Sequence, residues 1–231
     1  MTTEIALIVG VGKGLSASLA KLFAREGMRV ALAARNVEKI KPLAAEIDAA
    51  TFSCDAGEPD QVARLFDDVC AKLGEPTLVV FNAGIRGRGA IADLDPEQVK
   101  RGWIAGAFGG FLVGQQAAKR MLPLGRGTIL FTGATAGVKG FAGSAPFAMA
   151  KFSLRGLAQS MARELAPKGI HVAHVVIDGG IATSYAEDEA DRATDRWLDP
   201  DAIAESYLQL HRQHRSAWTW ELEVRPWLEK F

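Results

Sequence analysis

Ile5-Ala6-Leu7-Ile8-Val9-Gly10-Val11-Gly12-Lys13-Gly14-Leu15-Ser16, followed by Ala17-Ser18-Leu19-Ala20-Lys21-Leu22-Phe23, decides the fold. Five apolar residues in a row read as a strand buried on both faces. Three glycines at alternate positions then predict a tight turn. Leu15, Leu19, Leu22 and Phe23 recur at helical spacing after it. Strand, glycine turn and helix together can hold a pyrophosphate. The glycines let the backbone approach phosphate oxygens, and the helix N-terminus offers unpaired N–H groups and the positive end of a dipole. The alternative is a turn whose glycines serve packing alone.

Outward from this stretch, strands and helices alternate. Strands are expected at 29–34, 51–54, 77–81, 127–132 and 170–177, with an edge strand at 218–224. Helices are expected at 37–49, 59–72, 96–122, 145–165 and 201–214. The alternation predicts an α/β fold: one doubly wound, seven-stranded parallel sheet with helices on both faces. Right-handed crossovers then put a bound nucleotide at the carboxyl ends of the strands, near the switch point. Residues 184–198 are polar and acidic and read as a lid, with the last helix beyond it.

The 231 residues suit a single domain spanning 1–231. Its 27 basic and 27 acidic residues cancel, so nothing favours nucleic acid or an anionic membrane surface as partner. No apolar run approaches the ~20 residues that span a bilayer. Cys54 and Cys70 form no metal-ligand cluster, and no metal is expected. A reduced, cytoplasmic chain is the expectation, with a disulfide left open. The first strand begins almost at once, which predicts no secretory leader.

The dinucleotide spacing G-x-G-x-x-G fails, because Leu15 stands at its last glycine. G-x-x-x-G-x-G fits better, as Gly10, Gly14 and then Ser16. That spacing resembles the short-chain dehydrogenase/reductase family, and the resemblance covers nearly the whole chain. It implies a single-domain Rossmann fold and a nicotinamide cofactor cradled by Gly10, Gly12, Lys13, Gly14 and Leu15. At the end of the second strand an acid would bind ribose hydroxyls, and a cation would take a 2′-phosphate. This chain has Arg35 followed by Asn36, with Lys13 as a second cation in the turn. Two cations converging there favour NADP over NAD; otherwise both are ordinary surface cations.

Asp55 falls where the family has an adenine contact, and it also suits a turn cap. Asn82-Ala83-Gly84 resembles the family's N-A-G signature. Asp178-Gly179-Gly180-Ile181-Ala182-Thr183 resembles its P-G-x-x-x-T turn, with Asp178 replacing proline. That match implies that Gly179, Ile181 and Thr183 meet the nicotinamide. Arg86 and Arg88 in the next loop either meet an anionic substrate or are solvated.

The family reduces carbonyls with a tyrosine proton donor four residues before a lysine, a serine thirteen before the tyrosine, and a supporting asparagine. Lys151 fits the lysine. Phe147 stands at the tyrosine, Ala134 at the serine and Gly106 at the asparagine. Neither Phe147 nor Ala134 has a proton to give. Thr132, Thr135, Ser144 and Tyr185 are substitute donors. Tyr185 is favoured because a lid can bring a phenol over the nicotinamide, and its alternative role is packing. Tyr207 is expected to lie remote from the site.

Two functions follow from the resemblance. One is an NADP-dependent oxidoreductase with an atypical site, acting on a small carbonyl, alcohol or enone. Phe141, Phe147, Tyr185 and Trp197 suggest an apolar or aromatic ligand. The other is a catalytically inactive NADP(H)-binding sensor or partner subunit. Gly102, Gly106, Gly110 and Gly114 recur every fourth residue in the helix at 96–122. The resemblance implies that this helix pairs subunits in a homodimer or homotetramer; the alternative is packing inside one subunit.

Overall fold

The structure is a computed structural model and describes residues 3–185, 188–192 and 194–229. Seven parallel strands lie in the order β3-β2-β1-β4-β5-β6-β7. They are β1 (Ile5–Val9), β2 (Arg29–Ala34), β3 (Ala50–Ser53), β4 (Leu78–Phe81), β5 (Gly127–Thr132), β6 (Ile170–Ile177) and β7 (Glu221–Val224). Leu7 of β1 pairs with Ala31 on one side and Val79 on the other. All five residues of β1 and all eight of β6 are buried, as a strand covered on both faces requires.

Alternation along the strands feeds two cores. Leu7 and Val9 join Phe66 of α3 (Pro59–Lys72), Val113 of α5 (Gly109–Met121) and Leu154 of α6 (Ala145–Leu165). Phe81 and Phe131 meet edge to face in this layer, 6.4 Å between centroids. Ala6 and Ile8 point the other way, to Leu19 and Phe23 of α1 (Leu15–Arg25) and to Ile203 and Tyr207 of α9 (Pro200–Arg212). Arg25–Glu205 and Arg212–Glu26 ion pairs add to the α1–α9 contact. The last helix is therefore part of a core layer.

Three expected elements differ. The helix expected at 37–49 is a 3₁₀ turn, Val37–Lys39, followed by α2 (Lys41–Glu46). Asn36 caps the turn by accepting from the Glu38 N–H at 3.1 Å. Pro42, which lacks a donor, opens the second segment, and Asp48 leaves it with φ 52°. The helix expected at 96–122 is α4 (Pro96–Trp103), a π-helical turn (Ile104–Phe108) and α5. Glycine's low helix propensity makes this run the place where an extra residue per turn is accommodated. The edge strand is shorter than expected, four residues instead of seven.

The glycines of that run face inward. A Cβ on Gly110 would stand 2.4 Å from Leu154 Cδ1, and one on Gly114 3.0 Å from Phe131 Cζ. One on Gly106 would stand 3.2 Å from Ala150 Cβ. Gly106, Gly110 and Gly114 thus pack against α6 and the sheet within the chain.

Between β6 and α9 come α7 (Ala182–Tyr185) and α8 (Glu189–Arg192). The Ala182 N–H donates to Leu198 O at 2.9 Å and the Leu198 N–H to Gly180 O at 2.8 Å, which closes this excursion at its base. No described helix is long and apolar enough to cross a membrane. Cys54 and Cys70 are both free thiols.

Candidate active site

The site gathers at the carboxyl ends of the strands, where the order reverses at β1 and β4. Gly10 leaves β1 with φ +90°, and a Cβ there would stand 2.4 Å from the Ala83 nitrogen. Only glycine lets the exit of β1 lie against the exit of β4. Ser16 Oγ donates to Gly10 O at 3.1 Å and accepts from Asn82 Nδ2 at 2.6 Å. Asn82 thus ties the end of β4 to the start of α1. Sequence reasoning gave Ser16 only a place in the glycine spacing; its partners appear once β1 and β4 are neighbours.

No side chain caps the first turn of α1, and no acid lies in it. Leu15 is buried, so it offers only its backbone to the turn. Gly12 and Lys13 are exposed, and a Cβ on Gly14 would stand 2.8 Å from Thr183 Oγ1. A cleft of about 1190 Å³ runs from Gly12, Lys13 and Gly14 to Arg35, Asn36 and Thr183. A narrower slot of about 210 Å³ continues past Gly10, Asp55, Asn82, Ala83 and Gly84, again with Arg35 in its wall. Asp55 also caps its turn, accepting from the Gly57 N–H at 3.0 Å. An uncapped helix start, an open glycine turn and a cleft whose wall carries Lys13 beside that turn and Arg35 at the end of β2 fit a dinucleotide that carries an additional phosphate.

A third pocket, about 270 Å³, lies beyond. Arg86, Arg88, Ala134, Thr135, Phe141, Ser144, Phe147, Gly179 and Trp197 are in its wall. Lys151 sits beside it, 6% exposed, with Nζ donating to Thr132 O at 2.6 Å. Nζ lies 5.7 Å from the Phe147 ring centroid, and the Arg86 guanidinium carbon lies 5.5 Å from the same centroid. Burial, and then repulsion from Arg86, lowers the Lys151 ammonium from an ordinary 10.5 to about 8.

Gly179, Ile181 and Thr183 follow β6 and link this pocket to the start of α1. Ile181 bridges to Leu198. Asp178, just before them, accepts from Thr135 Oγ1 at 2.6 Å and pairs with Arg225 Nη2 at 2.9 Å. The replacement of proline by aspartate was visible in the sequence; its partners, 43 and 47 residues away, were not.

Tyr207 corrects an expectation. It is fully buried, and its hydroxyl lies 2.8 Å from the hydroxyl of Thr132, the residue whose carbonyl holds Lys151. It is close to the site yet sealed in the α1–α9 layer, where burial pushes its phenol above the ordinary value. Tyr185 ends α7, and its side chain lies outside the described residues. On β6, His171 Nε2 lies 2.9 Å from Thr219 O, and His174 Nδ1 lies 3.1 Å from Glu221 Oε2. Arg155 holds Glu221 with two bonds, at 2.6 and 2.7 Å.

The sheet order and the glycine turn at its switch point define a dinucleotide-binding α/β protein of the Rossmann type. The chain belongs to the short chain dehydrogenase family, whose model matches residues 4–193. It is 29% identical over 187 residues to a 3-oxoacyl-[acyl-carrier-protein] reductase of Bos taurus, covering 80% of this chain and 78% of that one. A solved short-chain dehydrogenase from Rhodopseudomonas palustris is 38% identical, with TM-score 0.86, over 98% of this chain and 100% of the other. A variant of actinorhodin polyketide ketoreductase, solved with NADPH, is 26% identical with TM-score 0.88, over 99% and 98% of the two chains.

Proposed function

We propose that this protein is an NADP(H)-dependent oxidoreductase acting on a small carbonyl, alcohol or enone at an atypical active site. The observation that carries the reading is the placement of buried Lys151 between the pocket of Phe147 and the slot that Gly84 lines together with Arg35. Solved relatives with NADPH or NADP bound, at 26% identity, support the same cofactor.

The backbone of Gly10, Gly12, Lys13, Gly14 and Leu15 would hold the pyrophosphate. Lys13 and Arg35 would take the 2′-phosphate, and Asn36, Asp55, Asn82, Ala83 and Gly84 would wall the nucleoside. Lys151, Gly179, Ile181 and Thr183 would meet the nicotinamide end. When bound, the nicotinamide supplies a hydride donor or acceptor. Phe147 and Ala134 give the pocket shape without an exchangeable proton, and Thr135 already donates its own to Asp178. Ser144 in the pocket wall, Tyr185 of α7 and Lys151 Nζ are the groups left to carry the proton, and the lowered value of Lys151 brings its exchange close to neutral pH.

The same absence of hydroxyls at Phe147 and Ala134 favours a second reading, an NADP(H)-binding sensor or partner subunit without turnover. NADPH oxidation against a panel of small ketones, aldehydes and enones separates the two. Turnover in the wild type that Lys151→Ala abolishes supports the enzyme; NADPH binding without turnover supports the sensor. A homodimer or homotetramer belongs to either reading. Its contact would use the outer face of α4, α5 and α6, where Trp103, Phe111, Met149 and Phe152 are exposed.

A further inference from the structure

We propose that Asp178 is a positioning residue for the nicotinamide end of the cofactor: its carboxylate ties the loop after β5 and the tail after β7 to the turn at 179–183. This rests on the oxidoreductase reading, in which that turn meets the nicotinamide, and names the residue that sets its place.

Asp178 is buried and stands at the last step before the turn. It makes three bonds to two other segments. Oδ1 accepts from Thr135 Oγ1 at 2.6 Å, Oδ2 pairs with Arg225 Nη2 at 2.9 Å, and the backbone N–H donates to Val224 O at 2.8 Å. A proline at this position would have no N–H for the last bond and no polar group for the other two. Aspartate therefore gives up a ring-fixed φ and gains ties to residues 43 and 47 positions away.

The segments joined in this way border the site. Thr135, Ile177, Gly179 and Gly180 are in the wall of the pocket that holds Phe147. A Cβ on Gly179 would stand 2.6 Å from Pro226 Cδ, so the tail that carries Arg225 lies directly on the turn. Arg225 also pairs with Glu223 of β7, which fixes the tail to the sheet. Farther along the turn, backbone bonds hold it: the Leu198 N–H donates to Gly180 O, and the Ala182 N–H to Leu198 O. Thr183 then reaches the glycine turn beside Gly14. Asp178 supplies the side-chain ties at the near end. A charge-assisted bond is roughly twice as strong as a neutral one, and removing one partner of a largely buried pair leaves the other charge uncompensated. Loss of these ties should loosen the turn and leave untouched the adenosine side of the cleft, built on Gly12, Lys13 and Arg35.

The test is calorimetric titration of the full chain with NADPH and with adenosine 2′,5′-bisphosphate, which keeps the adenosine and the 2′-phosphate and lacks the nicotinamide. Wild type, Asp178→Asn, Thr135→Val, Thr135→Ser, Arg225→Gln and Arg225→Lys are compared. Asp178→Asn is expected to weaken NADPH at least about fivefold and the bisphosphate less than about twofold. Thr135→Val and Arg225→Gln should shift the same way, and Thr135→Ser and Arg225→Lys should recover part of the loss. Should Asp178→Asn fail to fold, the two variants that each remove a single tie carry the same comparison. A general loosening would weaken both ligands alike; that result, or NADPH affinity unchanged in the variants, overturns the proposal. Wild type that binds NADPH no more tightly than the bisphosphate also overturns it and leaves the nucleotide cleft standing. Binding of neither ligand by the wild type would overturn the oxidoreductase reading and the proposal with it.

Discussion

The Lys151 ammonium lies 5.7 Å from the centre of the Phe147 ring and donates to the Thr132 carbonyl at 2.6 Å. The lysine is thus held from below by the sheet and faces a ring without a hydroxyl. Phe147→Tyr together with Ala134→Ser would add two hydroxyls to that pocket. A positioned proton donor contributes roughly 100- to 10,000-fold, so the double variant should raise kcat for ketone reduction by at least about 100-fold. Steady-state NADPH oxidation checks this. Single variants should gain far less, because donor and orienting hydroxyl act as a unit.

Lys151 also makes stability depend on alkaline pH. Its folded value, about 8, lies below the ordinary 10.5. Between those values the unfolded chain binds more protons, so stability rises with pH across that window. The full shift corresponds to about 3 kcal/mol. Urea unfolding at pH 7.5 and pH 10 should show the rise in the wild type and its absence in Lys151→Met, with the variant more stable at the lower pH.

His174 gives the opposite limb. Burial lowers its imidazole from an ordinary 6.5 to about 4, against the opposing pull of Glu221. As pH falls through that window the unfolded chain takes up the proton and the folded chain does not, so stability is lost. Glu221, which burial pushes up but Arg155 and then His174 together bring below its ordinary value, adds a loss in the same direction as it protonates. Acid unfolding followed by circular dichroism should start at lower pH in His174→Gln than in the wild type.

The glycine stripe yields a packing prediction. A Cβ at Gly110 would stand 2.4 Å from Leu154 Cδ1 and 3.3 Å from Phe81 Cε1. Gly110→Ala gains helix propensity of about 1 kcal/mol, and overpacking costs about 1–3 kcal/mol, so a net loss is expected. Thermal unfolding should show a lower Tm, and Gly110→Ala with Leu154→Val should recover part of it.

What the sequence displayed and what it hid follow from the range of the interactions. The run from Ile5 to Phe23 carries its own signals: a continuous apolar strand, then glycines, then helical spacing. The strand–turn–helix start of the sheet and the place of Lys13 were legible for that reason, whereas Arg35 was placed by the end of the second strand and Lys151 by the family resemblance. The break in the helix at 37–49 was signalled by Pro42, which alone does not distinguish a helix start from a kink. The π-helical turn at Ile104–Phe108 was hidden, since glycines at every fourth residue still satisfy helical spacing. The direction of the glycine stripe was hidden too, because only the packed α6 shows which side is crowded. Contacts such as Thr132 with Tyr207, or Asp178 with Thr135 and Arg225, join residues 43 to 75 positions apart. They depend on strand order and leave no local trace.

The central claim is NADP(H) binding through the turn after β1 and the end of β2. Fluorescence titration of the wild type and of a Lys13→Ala/Arg35→Ala double variant, with NADPH and separately with NADH, tests it most directly. The wild type is expected to bind NADPH at least roughly tenfold more tightly than NADH, and the double variant to lose this preference while keeping its affinity for NADH. Equal affinities in the wild type, or binding of neither nucleotide, would contradict it.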